Sequence, residues 1–331
     1  MNILITGGTG YLGGRLAAYL HKKEPHSRIL LTIKNRQKNV PSWAEQFAIL
    51  HMNCLDEDSI KHCFTNRKID CIIHLAALNE IESMKDPELA HEVNIKGTYR
   101  LLEYAYKNNV EKFIYCSTFH VYGDASAAVI TEDTPAKPFH PYAITHRAAE
   151  DYVRFFQHYY GMKSLIIRLS NGYGYPMDRE IDRWSLLFND LCKQAVTTGR
   201  LVLKSSGKQY RDFISLESVA RVVHYFLFVI PEMWADGLFN LGSGTSMSIV
   251  EAAQTIAQIY GKKYKCENAA IETGKDAGPS RTTVRFVYDI GKLKSMGIEP
   301  EDDMEKEVEK TMEVCEGFLT AKHKKHNNVQ E

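Results

Sequence analysis

Ile3-Leu4-Ile5-Thr6-Gly7-Gly8-Thr9-Gly10-Tyr11-Leu12-Gly13 is the stretch on which the fold of this chain turns. The apolar run at 3–5 reads as a short strand. A glycine-rich turn follows it, and the apolar spacing of Leu16, Ala17 and Leu20 then reads as a helix. That order sets unhindered backbone N–H groups at a helix N-terminus, where they can cradle a pyrophosphate. Gly7 and Gly10 let the chain turn tightly and approach a ligand, and Gly13 lets the helix lie close to the strand. Gly7, Thr9, Gly10, Tyr11, Leu12 and Gly13 are therefore candidates for holding a dinucleotide cofactor.

Further along the chain, apolar runs alternate with helical patterns. Strands are expected at 2–6, 29–33, 48–51, 71–75, 112–117 and 164–168, and helices at 12–22, 57–64, 87–108 and 142–160. Such alternation predicts an α/β, Rossmann-type doubly wound parallel sheet, with its ligand at the carboxyl ends of the strands. After residue 169 the pattern changes. Gly, Tyr, Asp and Arg cluster between 171 and 183; a helix at 184–198, a strand at 200–204 and a helix at 246–260 follow, and 261–300 looks irregular. We read residues 1–168 with about 213–241 as a dinucleotide-binding domain. Residues 169–212 with 242–317 form a smaller C-terminal substrate-binding lobe, and 318–331 a frayed polar tail.

Composition narrows the class. The chain has 331 residues, 44% hydrophobic and 25% charged, with a formal net charge of zero. Neutrality argues against a broad nucleic-acid surface. No apolar stretch reaches the length of a bilayer span, and a strand at residue 3 leaves no room for a signal peptide. The seven cysteines are scattered, without a C-x-x-C pair, so neither a disulfide framework nor a metal site is expected, and a reducing cytoplasm fits. Cys71 and Cys116 lie in apolar strand patterns and read as small core hydrophobes.

Tyr142-Ala143-Ile144-Thr145-His146 opens a helix after Pro141, and its spacing puts Tyr142 and His146 one turn apart on one face. With the glycine turn, several segments fall in an ordered series: Leu55-Asp56, His74-Leu75-Ala76-Ala77, Asn94 in Val93-Asn94-Ile95-Lys96-Gly97-Thr98, Ser117-Thr118-Phe119-His120-Val121-Tyr122-Gly123, Arg168-Leu169-Ser170-Asn171-Gly172-Tyr173-Gly174, Arg211-Asp212-Phe213-Ile214 and Asn240-Leu241-Gly242-Ser243-Gly244. Over residues 1 to about 315 this resembles the extended short-chain dehydrogenase/reductase superfamily, in its nucleotide-sugar epimerase/dehydratase branch. The resemblance implies Tyr142 as acid/base on a sugar oxygen, Thr118 as its hydrogen-bonding partner and a nicotinamide as hydride carrier. It implies Leu55, Asp56, Leu75, Ala76, Ala77, Asn94, Cys116, Tyr142 and His146 as cofactor contacts. It implies Asn79, Thr118, Phe119, His120, Asn171, Arg211 and Arg281 as contacts of a nucleotide-diphosphate sugar. It also implies a homodimer formed through the helices at 87–108 and 142–160.

Three departures matter. His146 stands where the branch carries a lysine whose charge lowers the tyrosine pKa. A free phenol titrates near 10 and a free imidazole near 6.5, so a neutral histidine is a weak substitute. Either His146 is protonated and works, or Tyr142 serves mainly as an acid, or the protein binds without turnover. Second, Phe119 and His120 stand where the dehydratases of the branch carry Asp-Glu, which disfavours dehydration and leaves a 4-epimerase or a 4-keto reductase. Third, Leu31-Thr32-Ile33-Lys34-Asn35-Arg36-Gln37-Lys38 has no acid about 20 residues past the turn, where a NAD site carries one. Lys34, Arg36 and Lys38 would suit a 2′-phosphate, with Asn35 between them a further cofactor contact, so NADP is favoured over NAD. A 4,6-dehydratase and a non-catalytic dinucleotide sensor stay open as alternatives.

Overall fold

The computed structural model describes residues 1–34, 40–124, 128–275 and 284–327. Seven strands form one sheet: β1 (Asn2–Thr6), β2 (Arg28–Ile33), β3 (Ala48–His51), β4 (Cys71–His74), β5 (Lys112–Thr118), β6 (Lys163–Leu169) and β7 (Leu238–Leu241). Their order is β7-β6-β5-β4-β1-β2-β3, and every pairing is parallel. The order reverses between β1 and β4, so a crevice opens at their carboxyl ends.

The strands are apolar on both sides because both faces are covered. Ile3 and Ile5 pack under helices α1 (Tyr11–Lys23) and α4 (Leu216–His224), while Leu4 points the other way. Leu4 packs with Leu101 of α2 (Gly97–Lys107) and Val153 of α3 (Pro141–Tyr160). This is the two-residue alternation of a strand meeting the 3.6-residue stripe of a helix.

The run expected as one helix over 87–108 is divided. Pro87–Ala90 and α2 are α-helical, and His91–Lys96 between them is a π-helix. The wider turn holds Asn94 inward, where its Oδ1 accepts from the Leu78 N–H at 2.8 Å and its Nδ2 donates to Thr145 Oγ1 at 3.0 Å.

Beyond β6 the chain builds a second set of layers. Strand Asn171–Tyr173 pairs in parallel with Tyr210–Ser215, which pairs antiparallel with Ser246–Ser248. Helices Leu187–Thr198, α5 (Ile249–Tyr264) and α6 (Met304–Asn327) close a core of Phe188, Leu191, Ile256 and Met312. Residues 246–248 are thus a strand, not the start of a helix. The helix begins after them because Ser248 and Glu251 form a capping box: Ser248 Oγ accepts from the Glu251 N–H, and Glu251 Oε2 from the Ser248 N–H. The region read as irregular at 261–300 holds strands Ala270–Thr273 and Val287–Tyr288 and a short helix, Gly291–Ser295. The tail expected to fray from 318 continues α6 instead, and Phe318 packs edge-on against Trp184 at 5.0 Å.

One buried ion pair ties α1 to α6. Arg15 donates to both carboxylate oxygens of Glu307, at 3.0 and 2.7 Å, with each side chain under 5% exposed (4% and 3%). No helix among the described residues is long and apolar enough to cross a membrane.

Candidate active site

The glycine turn ends at Gly10, which caps α1 with no side chain, and the Tyr11, Leu12 and Gly13 amides have no loop or side-chain acceptor among the described residues. A ligand phosphate would satisfy them. Gly7 needs its left-handed backbone (φ +64), and a Cβ on Gly13 would lie 2.4 Å from the Gly7 carbonyl oxygen. Thr9 is half-buried in the turn, and Leu12 faces the crevice. The Tyr11 hydroxyl is spent elsewhere: it donates to the Gly174 carbonyl at 2.7 Å, fastening the turn to the second set of layers.

The neighbouring strand end is held by a chain of hydroxyls. Thr6 Oγ1 accepts from the Leu75 and Ala76 amides, so its own proton goes to His74 Nδ1 at 2.6 Å. His74 Nε2 then donates to Thr98 Oγ1 at 3.0 Å, and Thr98 donates to the Asn94 carbonyl at 2.6 Å. Burial lowers the His74 pKa to about 3, which keeps this histidine neutral. It is a buttress for Leu75, Ala76 and Ala77.

The chemistry-bearing side chains meet where β5 ends and α3 begins. Tyr142 and His146 stand one turn apart on α3, their rings 4.4 Å apart edge to face. They line a cleft of about 420 Å³ together with Cys116 and Thr118 from β5. The Tyr142 phenol is pushed up to about 12, chiefly by burial, while a hydrogen bond with Thr118 pulls the other way.

His146 is 3% exposed, and its Nδ1 lies 2.7 Å from the Tyr115 hydroxyl. Tyr115 is buried and held protonated by desolvation, and a neutral phenol pairs with either tautomer of the imidazole. The other ring nitrogen, Nε2, is buried with no partner among the described residues. Burial lowers the His146 pKa to about 4, although the Glu150 charge opposes the shift. Burial thus weighs against the reading in which a protonated His146 supplies the missing lysine charge, since desolvation outweighs its carboxylate neighbour. Since the folded pKa lies below the unfolded value of about 6.5, the folded state binds fewer protons. His146 therefore adds stability above pH 6.5 that is lost as pH falls toward 4. Turnover is expected to show no inflection from this residue between pH 6 and 8, measured as kcat/KM against pH; a tenfold fall through that range would refute it.

Glu150, one further turn along α3, is fully buried and was not flagged by the sequence reading. It accepts from Ser117 Oγ at 2.5 Å and from Arg168 Nε and a terminal nitrogen at 3.0 and 2.7 Å. Arg147 reaches the same carboxylate at 3.1 Å. The available signals were an arginine inside the apolar strand 164–168 and the fourth-residue spacing of Tyr142, His146 and Glu150.

Other expected contacts divide into two groups. Asn79, Phe119, His120, Asn171 and Arg211 all line the same cleft. Phe119 stacks on Phe286 at 5.7 Å, so it is a packing residue as well as a wall. Burial lowers the His120 pKa to about 4, with Glu80 opposing, and its ring meets His140 and Tyr142 edge-on. Asn171 spends one N–H on the Asp212 carbonyl at 2.8 Å. Arg211 and Asp212 do not form a surface ion pair: Asp212 is buried against Ser243, while Arg211 faces the cleft. Arg183 and Glu80 also line the cleft, and no sequence pattern marked them. Away from the cleft, Asp56 caps the helix Glu57–Phe64, and Leu55 is 37% exposed. Asn94 braces Leu78, as above, and Lys34 is exposed at the end of β2. Asn35, Arg36, Lys38 and Arg281 lie outside the described residues. Among the described residues no cluster of His, Cys, Asp or Glu fits a metal ion.

Comparison with known proteins agrees with this arrangement. The chain is 28% identical over 326 residues to the dTDP-D-glucose 4,6-dehydratase of Mus musculus, covering 94% of this chain and 87% of that one. Its fold matches a UDP-glucose 4-epimerase from Thermotoga maritima solved with UDP-glucose, with a TM-score of 0.81 at 23% identity, covering 96% of this chain and 100% of the other. It also matches a Thermus thermophilus UDP-glucose 4-epimerase solved with NAD, with a TM-score of 0.79 at 22% identity, covering 96% and 99%. A family model described as the NAD dependent epimerase/dehydratase family matches residues 3–242. With the uncapped glycine turn at the sheet's switch point and the tyrosine beside it, that match makes this chain an enzyme of the NAD-dependent epimerase/dehydratase family.

Proposed function

We propose that this enzyme acts at carbon 4 of a nucleotide-diphosphate sugar, as a 4-epimerase or a 4-keto reductase. The observation that carries the reading is the convergence of Tyr142, Thr118 and the unpartnered Nε2 of His146 on one cleft beside the glycine turn. The residues fit a dinucleotide: the cradle at Gly7 and Gly13 excludes side chains, and the α1 amides await an acceptor. When bound, the nicotinamide supplies or accepts the hydride. Tyr142 exchanges the proton of the sugar oxygen, and Thr118 orients that oxygen. His146 offers Nε2 to a ribose hydroxyl, a job that needs no charge. Arg211 and Arg183 offer guanidinium groups to the diphosphate.

The basic residues Lys34 and Arg36, with no acid in that loop, favour NADP; the Thermus structure holds NAD. Dehydration is disfavoured because Phe119 transfers no proton, although the mouse relative bears a dehydratase name. The free cysteines suit a reducing cytoplasm. The test is turnover on a panel of nucleotide sugars with NAD and NADP, products read by mass spectrometry and NMR. Epimers at carbon 4, or reduction of a 4-keto sugar, support the reading. Tight dinucleotide binding without turnover on any member would make the protein a sensor instead.

We also propose a homodimer through α2 and α3. Tyr106, Tyr152, Phe155, Tyr159 and Tyr160 are all more than a third exposed there, a larger aromatic face than a monomer usually leaves in water. Light scattering should give a dimer that Phe155→Glu with Tyr159→Glu converts to monomer; a monomeric parent protein would refute it.

A further inference from the structure

A second cleft lies toward the C-terminal end of α1, away from the glycine turn. We propose that it binds a small polyanion carrying at least two phosphate groups. Its volume is about 540 Å³, and its walls come from α1, α4, α6 and the segment around Tyr175. Pockets of about 300–1,000 Å³ are the usual size for small ligands.

The charge of this cleft is not balanced from within. Arg15 at its floor is committed to Glu307 and Glu217, and Arg221 to Glu301. Those pairs use the carboxylates at hand. Lys22, Lys23, Lys306 and Lys310 line the same cleft, and none has a carboxylate partner among the described residues. The ordinary explanation covers half of them: Lys22 and Lys23 end α1, where cations offset the helix dipole. It fails for Lys306, which sits in the first turn of α6 at the helix's positive end, where a lysine is disfavoured, and it does not reach Lys310 in the second turn.

The floor is built, not merely basic. The Arg15 guanidinium lies 3.6 Å over the Tyr175 ring, and Lys310 Nζ lies 5.3 Å from the same ring. Arg15 also donates to the Tyr175 carbonyl at 3.2 Å. Ammonium groups act as point charges toward phosphate oxygens, and four of them exceed the charge of one phosphate. A di- or triphosphate chain matches both the number of cations and their spread over two helices.

The test is calorimetric titration of inorganic tripolyphosphate into the full chain at fixed ionic strength, first without dinucleotide and then with NAD or NADP saturating. Saturable one-site binding is expected, weakened at least tenfold in Lys306→Gln/Lys310→Gln. Lys22→Glu/Lys310→Glu should abolish it while NAD affinity stays within twofold, which also certifies the fold. Binding that vanishes when NAD is added would place the anion at the glycine turn and overturn the proposal. So would no saturable heat, or equal affinity in the Gln variant. None of these outcomes depends on which sugar the enzyme takes.

Discussion

Tyr142→Phe is expected to lower turnover of the nucleotide sugar by between about 10² and 10⁴-fold, the usual worth of a positioned general acid or base. Dinucleotide affinity should stay within about threefold, because the ring and its edge-to-face contact with His146 are kept. The size of the effect follows from isolation. The phenol is held up at about 12 by burial, and the histidine one turn away is neutral. Thr118 is the weaker acid by several units, and the other phenols lining the cleft, Tyr11 and Tyr173, spend their hydroxyls on the Gly174 carbonyl and on Asp302. Steady-state kinetics with a substrate found in the panel, beside a fluorescence titration with the dinucleotide, checks both halves. Activity within fivefold of the parent would remove Tyr142 from the chemistry.

Glu150→Leu should destabilise the fold by about 3–5 kcal/mol, as expected when one partner of a buried ion pair is removed and the other charge is stranded. The stranded group is Arg168, 2% exposed, which keeps only its stacking over the Tyr122 ring at 4.7 Å. Ser117 Oγ would lose its acceptor as well. The double variant Glu150→Leu/Arg168→Leu should recover most of the loss, because an apolar pair of similar volume removes the uncompensated charge. Urea unfolding of the parent, of Glu150→Leu, of Arg168→Leu and of the double variant measures the cycle. A single variant within 1 kcal/mol of the parent contradicts the account, and so does a double variant worse than the sum of the singles.

Much of the molecule was legible in advance because its determinants are local. A strand, a glycine turn and a helix within the first 23 residues set the parallel sheet's first unit, and apolar runs placed five more strands. The spacing of Tyr142 and His146 put both on one face of a helix whatever the rest of the chain did. The capping box at Ser248 and Glu251 was equally local, and reading it would have moved the start of α5 to its observed place. The π-turn around Asn94 was not readable, since it answers to Leu78 and Thr145, which are distant in sequence.

By itself, then, the order of residues determined the architecture, the dinucleotide turn and the tyrosine that stands beside it, through contacts spanning a few positions. Whether His146 carries a charge was decided only in three dimensions. Its ring is held by a hydrogen bond with Tyr115, 31 residues away on another element, and its ionisation is disfavoured by the surrounding packed core. The same holds for the Glu150–Arg168 pair and for the opposite facing of Arg211 and Asp212. Desolvation and hydrogen-bond partners are properties of a packed neighbourhood, and neighbours brought together across the sheet leave no periodic trace along the chain.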